Sequence, residues 1–187
     1  MAKQTTTFNS VVTAFFAALV LLAAPATAQT ETLDRLFEEL EGAEPMVARR
    51  IESQIQTEWD KSGSAAMDLL LRRGKDALDN GEPEQAVEHF TAAIDHAPDF
   101  AEGYHGRATA YYLTGRIGPA LDDLRMTLRL NPRHFSALRG LAIILEELER
   151  PNDALDVYRM VIEINPHAPG VAEAVDRLEI ELQGQTL

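Results

Sequence analysis

Residues 83–98 read PEQAVEHFTAAIDHAP, residues 117–132 read IGPALDDLRMTLRLNP, and residues 151–166 read PNDALDVYRMVIEINP. The three segments start 34 residues apart. Each carries alanine at its fourth position (Ala86, Ala120, Ala154) and ends on proline (Pro98, Pro132, Pro166), with large apolar residues between: Phe90 and Ile94, Leu124 and Leu128, Tyr158 and Ile162. Those spacings of four place the alanine and both large residues on one face of a helix. Self-similarity at a fixed period of this size marks a repeat architecture.

Numbering each proline as position 32 of its unit sets repeats at 67–100, 101–134 and 135–168. Upstream of each quoted helix a second amphipathic segment then emerges. Position 4 is large (Leu70, Tyr104, Leu138) and position 8 is small (Gly74, Ala108, Ala142). Small residues at positions 8 and 20 let two helix backbones approach, and the large residues fill the space beside them. The turn between the helices falls near position 15, where Gly81 and Gly115 adopt a positive φ at little cost. Pro83, Pro119 and Pro151 stand in the first turn of the second helix, where a missing N–H is harmless. The position-32 proline ends the unit, because it pushes the preceding residue out of the helical region.

On these residues the chain resembles the tetratricopeptide repeat family. Leu70, Gly74, Ala77, Ala86, Phe90, Ala93 and Pro98 match the family pattern in the first unit. Tyr104, Ala108, Tyr111, Ala120, Leu124 and Pro132 do so in the second, and Leu138, Ala142, Leu145, Ala154, Tyr158 and Pro166 in the third. Departures are the missing tryptophan at position 4, Arg73 and Arg107 at position 7, and Thr127 and Val161 at position 27. The resemblance implies an all-α fold, a right-handed superhelical solenoid of antiparallel helix hairpins. A looser similarity, in length and in the short helical lead before three repeats, is to periplasmic proteins of this family from alphaproteobacteria linked with the cell envelope.

The flanks extend that organisation. Residues 1–28 read as a cleaved export signal: Lys3, then an apolar run from Val11 to Ala24, then an Ala26-Thr27-Ala28 site with cleavage after Ala28. The apolar run is too short to span a hydrocarbon core of about 30 Å, so the remainder is expected to have no stable membrane insertion and to be periplasmic. Within 29–66, Leu33, Leu36, Phe37 and Leu40, then Val47, Ile51, Ile55 and Trp59, predict a helical hairpin covering the first repeat, with Trp59 as a packing anchor. Within 169–187, Val171, Val175, Leu178 and Leu182 predict a capping helix.

The composition excludes several function classes. Thirty acidic residues face seventeen lysines and arginines, a net charge of −13, which disfavours nucleic acid. Without cysteine there is no disulfide or thiolate site. Five histidines form no metal-binding spacing; the nearest arrangement, Glu102 with His105, supplies two ligands where a site needs three or four. No nucleophile elbow, phosphate loop or dinucleotide fingerprint occurs, so no catalytic residue, metal, cofactor or small-molecule substrate is assigned.

The resemblance implies a protein or peptide partner in the concave groove, lined by positions 2, 5, 9, 12 and 13 of each first helix. Those carry over to Asp68, Leu71, Lys75, Leu78 and Asp79, then Glu102, His105, Thr109, Tyr112 and Leu113, then Ser136, Arg139, Ile143, Glu146 and Glu147. Apolar residues among charges suit an extended peptide or a partner helix. The groove residues expected to bind are Leu71, Lys75, Leu78, His105, Thr109, Tyr112, Leu113, Arg139 and Ile143. None of these positions is asparagine, so the family's clamp for terminal carboxylates is not implied. The alternative is a structural or self-associating component acting through the convex face or the N-terminal hairpin.

Overall fold

The computed structural model describes residues 24–184, which form nine helices and no strand. These are α1 Ala24–Glu41, α2 Pro45–Trp59, α3 Ala65–Asp79, α4 Pro83–His96, α5 Ala101–Leu113, α6 Ile117–Leu130, α7 Phe135–Glu147, α8 Pro151–Ile164 and α9 Val171–Gly184. Most of the predicted export signal, residues 1–23, lies outside the described residues.

The repeat sets the helix boundaries. The second helices α4, α6 and α8 start 34 residues apart, as do the first helices α5 and α7. Each intra-repeat turn closes with the same bond, from the N–H of Glu82, Arg116 and Arg150 to the carbonyls of Ala77, Tyr111 and Leu145 (2.8–2.9 Å). The residue before that donor has a positive φ in all three: Gly81 at 75°, Gly115 at 72° and Glu149 at 55°. A side chain in this left-handed region costs about 1 kcal/mol, so Glu149→Gly is expected to stabilise the third hairpin by about that amount, read as a raised urea midpoint with an unchanged slope.

Close helix approach follows from the small residues. Ala86, Ala120 and Ala154 are fully buried, and Phe90 has no exposed surface. A Cβ built on Gly74 would meet Phe90 Cδ1 at 2.7 Å, and one built on Gly106 would meet the same atom at 2.9 Å. The ring of Phe90 therefore lies between two glycines, one from the first repeat and one from the second. The family departures also have partners. Arg107 grips Asp123 with Nε and Nη2 (2.7 and 2.9 Å), and the Thr127 hydroxyl donates back to the Asp123 carbonyl (2.9 Å).

At the C-terminal end α9 packs on α8 through Val171, Ala174, Val175 and Leu178, all buried. The N-terminal hairpin α1–α2 behaves differently from the expectation that it covers the first repeat. Its contacts reach all three. Asp60, just past α2, takes the Lys75 ammonium with both oxygens (2.6 and 2.7 Å). Gln56 donates to Glu102 at the start of α5 (2.9 Å), and Trp59 stacks on His134 (centroids 4.4 Å apart) and lies beside Phe135 at the start of α7 (5.2 Å). Glu52 accepts from Asn165 beyond α8 (2.6 Å), and Asp34 pairs with Arg133 (2.7 Å). The apolar side of the hairpin, Leu36, Leu40, Ala48, Ile51 and Ile55, joins one buried cluster with residues of α7, α8 and α9. The repeat pattern held no information on where a flanking hairpin docks, which accounts for the difference. Trp59 is the packing anchor expected of it, 7 % exposed.

Candidate peptide-binding groove

The hairpin enters the groove from the side of the first helical turns. It engages Lys75 and Glu102 directly, and the linker Ser62 engages Asp68 through its N–H and hydroxyl (2.9 and 2.6 Å). Farther along α5 and α7 the groove stays open. A slot of about 320 Å³ lies there, lined by His105, Ala108, Thr109, Tyr112, Leu124, Ser136, Arg139, Gly140, Ile143 and Ile144. Five of the nine expected binding residues meet in it: His105, Thr109, Tyr112, Arg139 and Ile143. Ala108, Leu124, Ser136, Gly140 and Ile144 complete its lining, and small residues at 108 and 140 leave the space. The Tyr112 hydroxyl donates to the Glu147 carboxylate, joining position 12 of one repeat to position 13 of the next; that bond raises the phenol pKa.

The other four expected residues lie elsewhere. Leu71 is 2 % exposed and belongs to the core with Phe90 and Phe100, a correction to its assignment as a binding residue. Lys75 is held by Asp60. Leu78 packs half-buried against the same core as Leu71. Leu113 is 59 % exposed and does not line the slot.

Below the slot the chain assembles a group that sequence spacing did not reveal. Glu102 and His105 on α5 meet His134, from the end of the same repeat, with potential ligand atoms within 4.8 Å of one another. His134 Nδ1 accepts from the Ala137 N–H (3.1 Å), capping α7. Its proton therefore sits on Nε2 and is donated to Glu102 Oε1 (2.8 Å). A metal on Nε2 would take that lone pair and turn Nδ1 into a donor facing the Ala137 N–H, so the cap and the metal exclude each other. The arrangement is a hydrogen-bonded knot. Burial works to raise the Glu102 carboxyl, but the neighbouring His105 (3.8 Å) and the bond from His134 outweigh it and hold the group well below the usual carboxylate range. Burial, with His105 nearby, lowers His134 against the opposing pull of Glu102. A polar residue at position 34, where the other repeats carry Phe100 and Ala168, was the signal in the sequence.

A family model described as tetratricopeptide repeat matches residues 71–126 and again 119–169. The chain belongs to the tetratricopeptide repeat family. A TPR repeat-containing protein of Rhizobium etli is 32 % identical over 155 residues, covering 82 % of this chain and 76 % of that protein. Sperm-associated antigen 1 of mouse is 27 % identical over 136 residues, covering 72 % of this chain; the chain spans 15 % of its length. Among solved structures, the first TPR of Spaghetti (RPAP3) bound to an HSP90 peptide superposes with a TM-score of 0.61 at 20 % identity, over 64 % of this chain and 95 % of that one. MamA superposes at 0.59 and 19 % identity, over 72 % and 84 %. At these identities the likeness speaks for the tetratricopeptide fold.

Proposed function

We propose that this chain is an exported adaptor that holds a protein or peptide of the cell envelope in the open part of its groove. The observation that carries this reading is the slot between α5 and α7. It brings an aromatic, two isoleucines, a histidine and an arginine together on a surface that the N-terminal hairpin leaves uncovered. Apolar anchors inside a polar rim are what a peptide site needs. The tetratricopeptide neighbour bound to an HSP90 peptide supports a peptide as the kind of ligand. No catalytic role is assigned to any residue. Export rests on the leader read from the sequence. No helix among the described residues is long and apolar enough to cross a membrane. A cut after Ala28 would keep Leu36 and Leu40, the buried residues of α1 among those described, and Gln29 itself bonds the Glu58 carbonyl (2.6 Å).

A photo-crosslinking residue at Tyr112 or Ile143 in the full chain, expressed in its host, is expected to give discrete heterologous adducts. The same residue at Arg125, exposed on α6, is expected to give none. Adducts only with a second copy of the chain would favour the self-associating alternative. Mass spectrometry of the recovered protein is expected to find an N-terminus at Gln29; an intact Met1 would remove the exported part of the proposal.

A further inference from the structure

A second pocket, of about 340 Å³, adjoins the slot. Ser136 and Arg139 line both, so the two volumes share a wall on α7. Its other side comes from the N-terminal hairpin: Arg49, Glu52, Ser53 and Gln56. In a chain with a large acidic excess most cations of the repeats find a carboxylate, as Arg107, Arg125, Arg133, Arg150 and Arg159 do. Arg49 and Arg139 do not: among the described residues neither has a carboxylate at ion-pairing distance. The acid in the pocket's lining, Glu52, accepts from the Asn165 amide through Oε1 and pairs with neither arginine. Two guanidinium groups without counter-ions thus face one pocket, and beyond Arg139 the apolar slot opens, carrying no carboxylate in its lining.

Resting on the adaptor reading above, we propose that the peptide site is composite, with α2 as its second wall. It takes an extended segment that places an internal acidic side chain between Arg49 and Arg139 and a neighbouring bulky apolar side chain in the α5–α7 slot. The acid is internal because Arg139 stands between two open volumes, so chain continues on both sides of it. A guanidinium pairs a carboxylate through two parallel hydrogen bonds, which fixes register as well as sign. The apolar side chain supplies the buried anchor. The hairpin is then part of the recognition surface, and Arg49 reads residues that the repeats alone cannot reach.

The test is selection of short random peptides displayed on phage against the full chain, repeated with Arg139→Glu and Arg49→Glu. Both side chains are exposed and unpaired, and circular dichroism and urea melts establish that the variants stay folded. Enrichment of an acidic residue next to a large apolar one, away from the peptide's C-terminus, is expected. Either charge reversal is expected to weaken the selected peptides about tenfold or more, and Arg139→Glu to shift selection toward basic residues. Acid enriched only at the C-terminus, or enrichment without acid, would overturn the inference while leaving a groove binder in place. An unaffected Arg49→Glu variant would overturn the composite wall. No enrichment by any form would remove both this inference and the peptide-adaptor reading.

Discussion

Phe90→Ala is expected to destabilise the fold by about 3–5 kcal/mol. The ring has no exposed surface and fills the space that Gly74 and Gly106 leave between the first two repeats. Removing it creates a cavity whose walls are helix backbones, and backbones relax less than side chains do. The glycines supply the companion measurement. Gly106→Ala in the native background gains helix propensity, about 1 kcal/mol, but pushes a methyl against Phe90 from one side while Gly74 closes the other. Overpacking of this kind costs about 1–3 kcal/mol, so a net loss is expected. In the Phe90→Ala background the clash is gone, and Gly106→Ala is expected to become neutral or stabilising. Urea titration of the four proteins gives the coupling directly. Additive effects would mean that the ring does not lie between these glycines.

Glu102→Ala is expected to cost about 3 kcal/mol, because it leaves the buried Nε2–H of His134 without an acceptor and takes from the half-buried Gln56 amide one of its two carboxylate partners, Asp60 being the other. It also loosens the hairpin, which reaches α5 through that carboxylate. The pH dependence has a definite sign. His134 in the fold lies below its ordinary value of 6.5, so as pH falls through 6.5 the unfolded chain takes up a proton that the folded chain does not. Glu102 lies below its ordinary 4.5, so the stability it contributes is present above that value and is lost as pH falls further. Both groups act in one direction: the protein weakens in acid. The urea midpoint is expected to fall between about pH 7.5 and about pH 5. In His134→Gln the upper part of that fall is expected to flatten. A wild-type midpoint constant over that interval would contradict the knot.

Much of the architecture was legible because a repeat states its physics three times. The alanines at 86, 120 and 154 and the prolines at 98, 132 and 166 fixed the helix starts that α4, α6 and α8 show. Five residues of the slot could be named because the family resemblance implies which positions of a first helix face the groove, and the repeat carries those positions from one unit to the next. What escaped was non-periodic. Leu71 became core because it packs in one cluster with Phe90, Phe100 and Ala110, whereas the matching His105 and Arg139 of the later repeats line the slot. His134 lies 32 residues from Glu102, with no local pattern linking them. The docking of α2, with Arg49, Glu52 and Gln56 in the groove, depends on shape complementarity between segments whose spacing encodes nothing about each other.

The bonds from Asp34 to Arg133 and from Glu52 to Asn165 join residues 99 and 113 positions apart. An open stack of hairpins unzips from either end, each unit answering to its neighbours alone. Here the first two helices are clasped to the second and third repeats, so fraying at one terminus is felt at the other. A chain emerging N-terminus first from a ribosome holds α1 and α2 without the last of their partners until Asn165 has followed. The cluster that covers the apolar side of the hairpin is complete only once α7, α8 and α9 have been made, and until then that side is available to a chaperone.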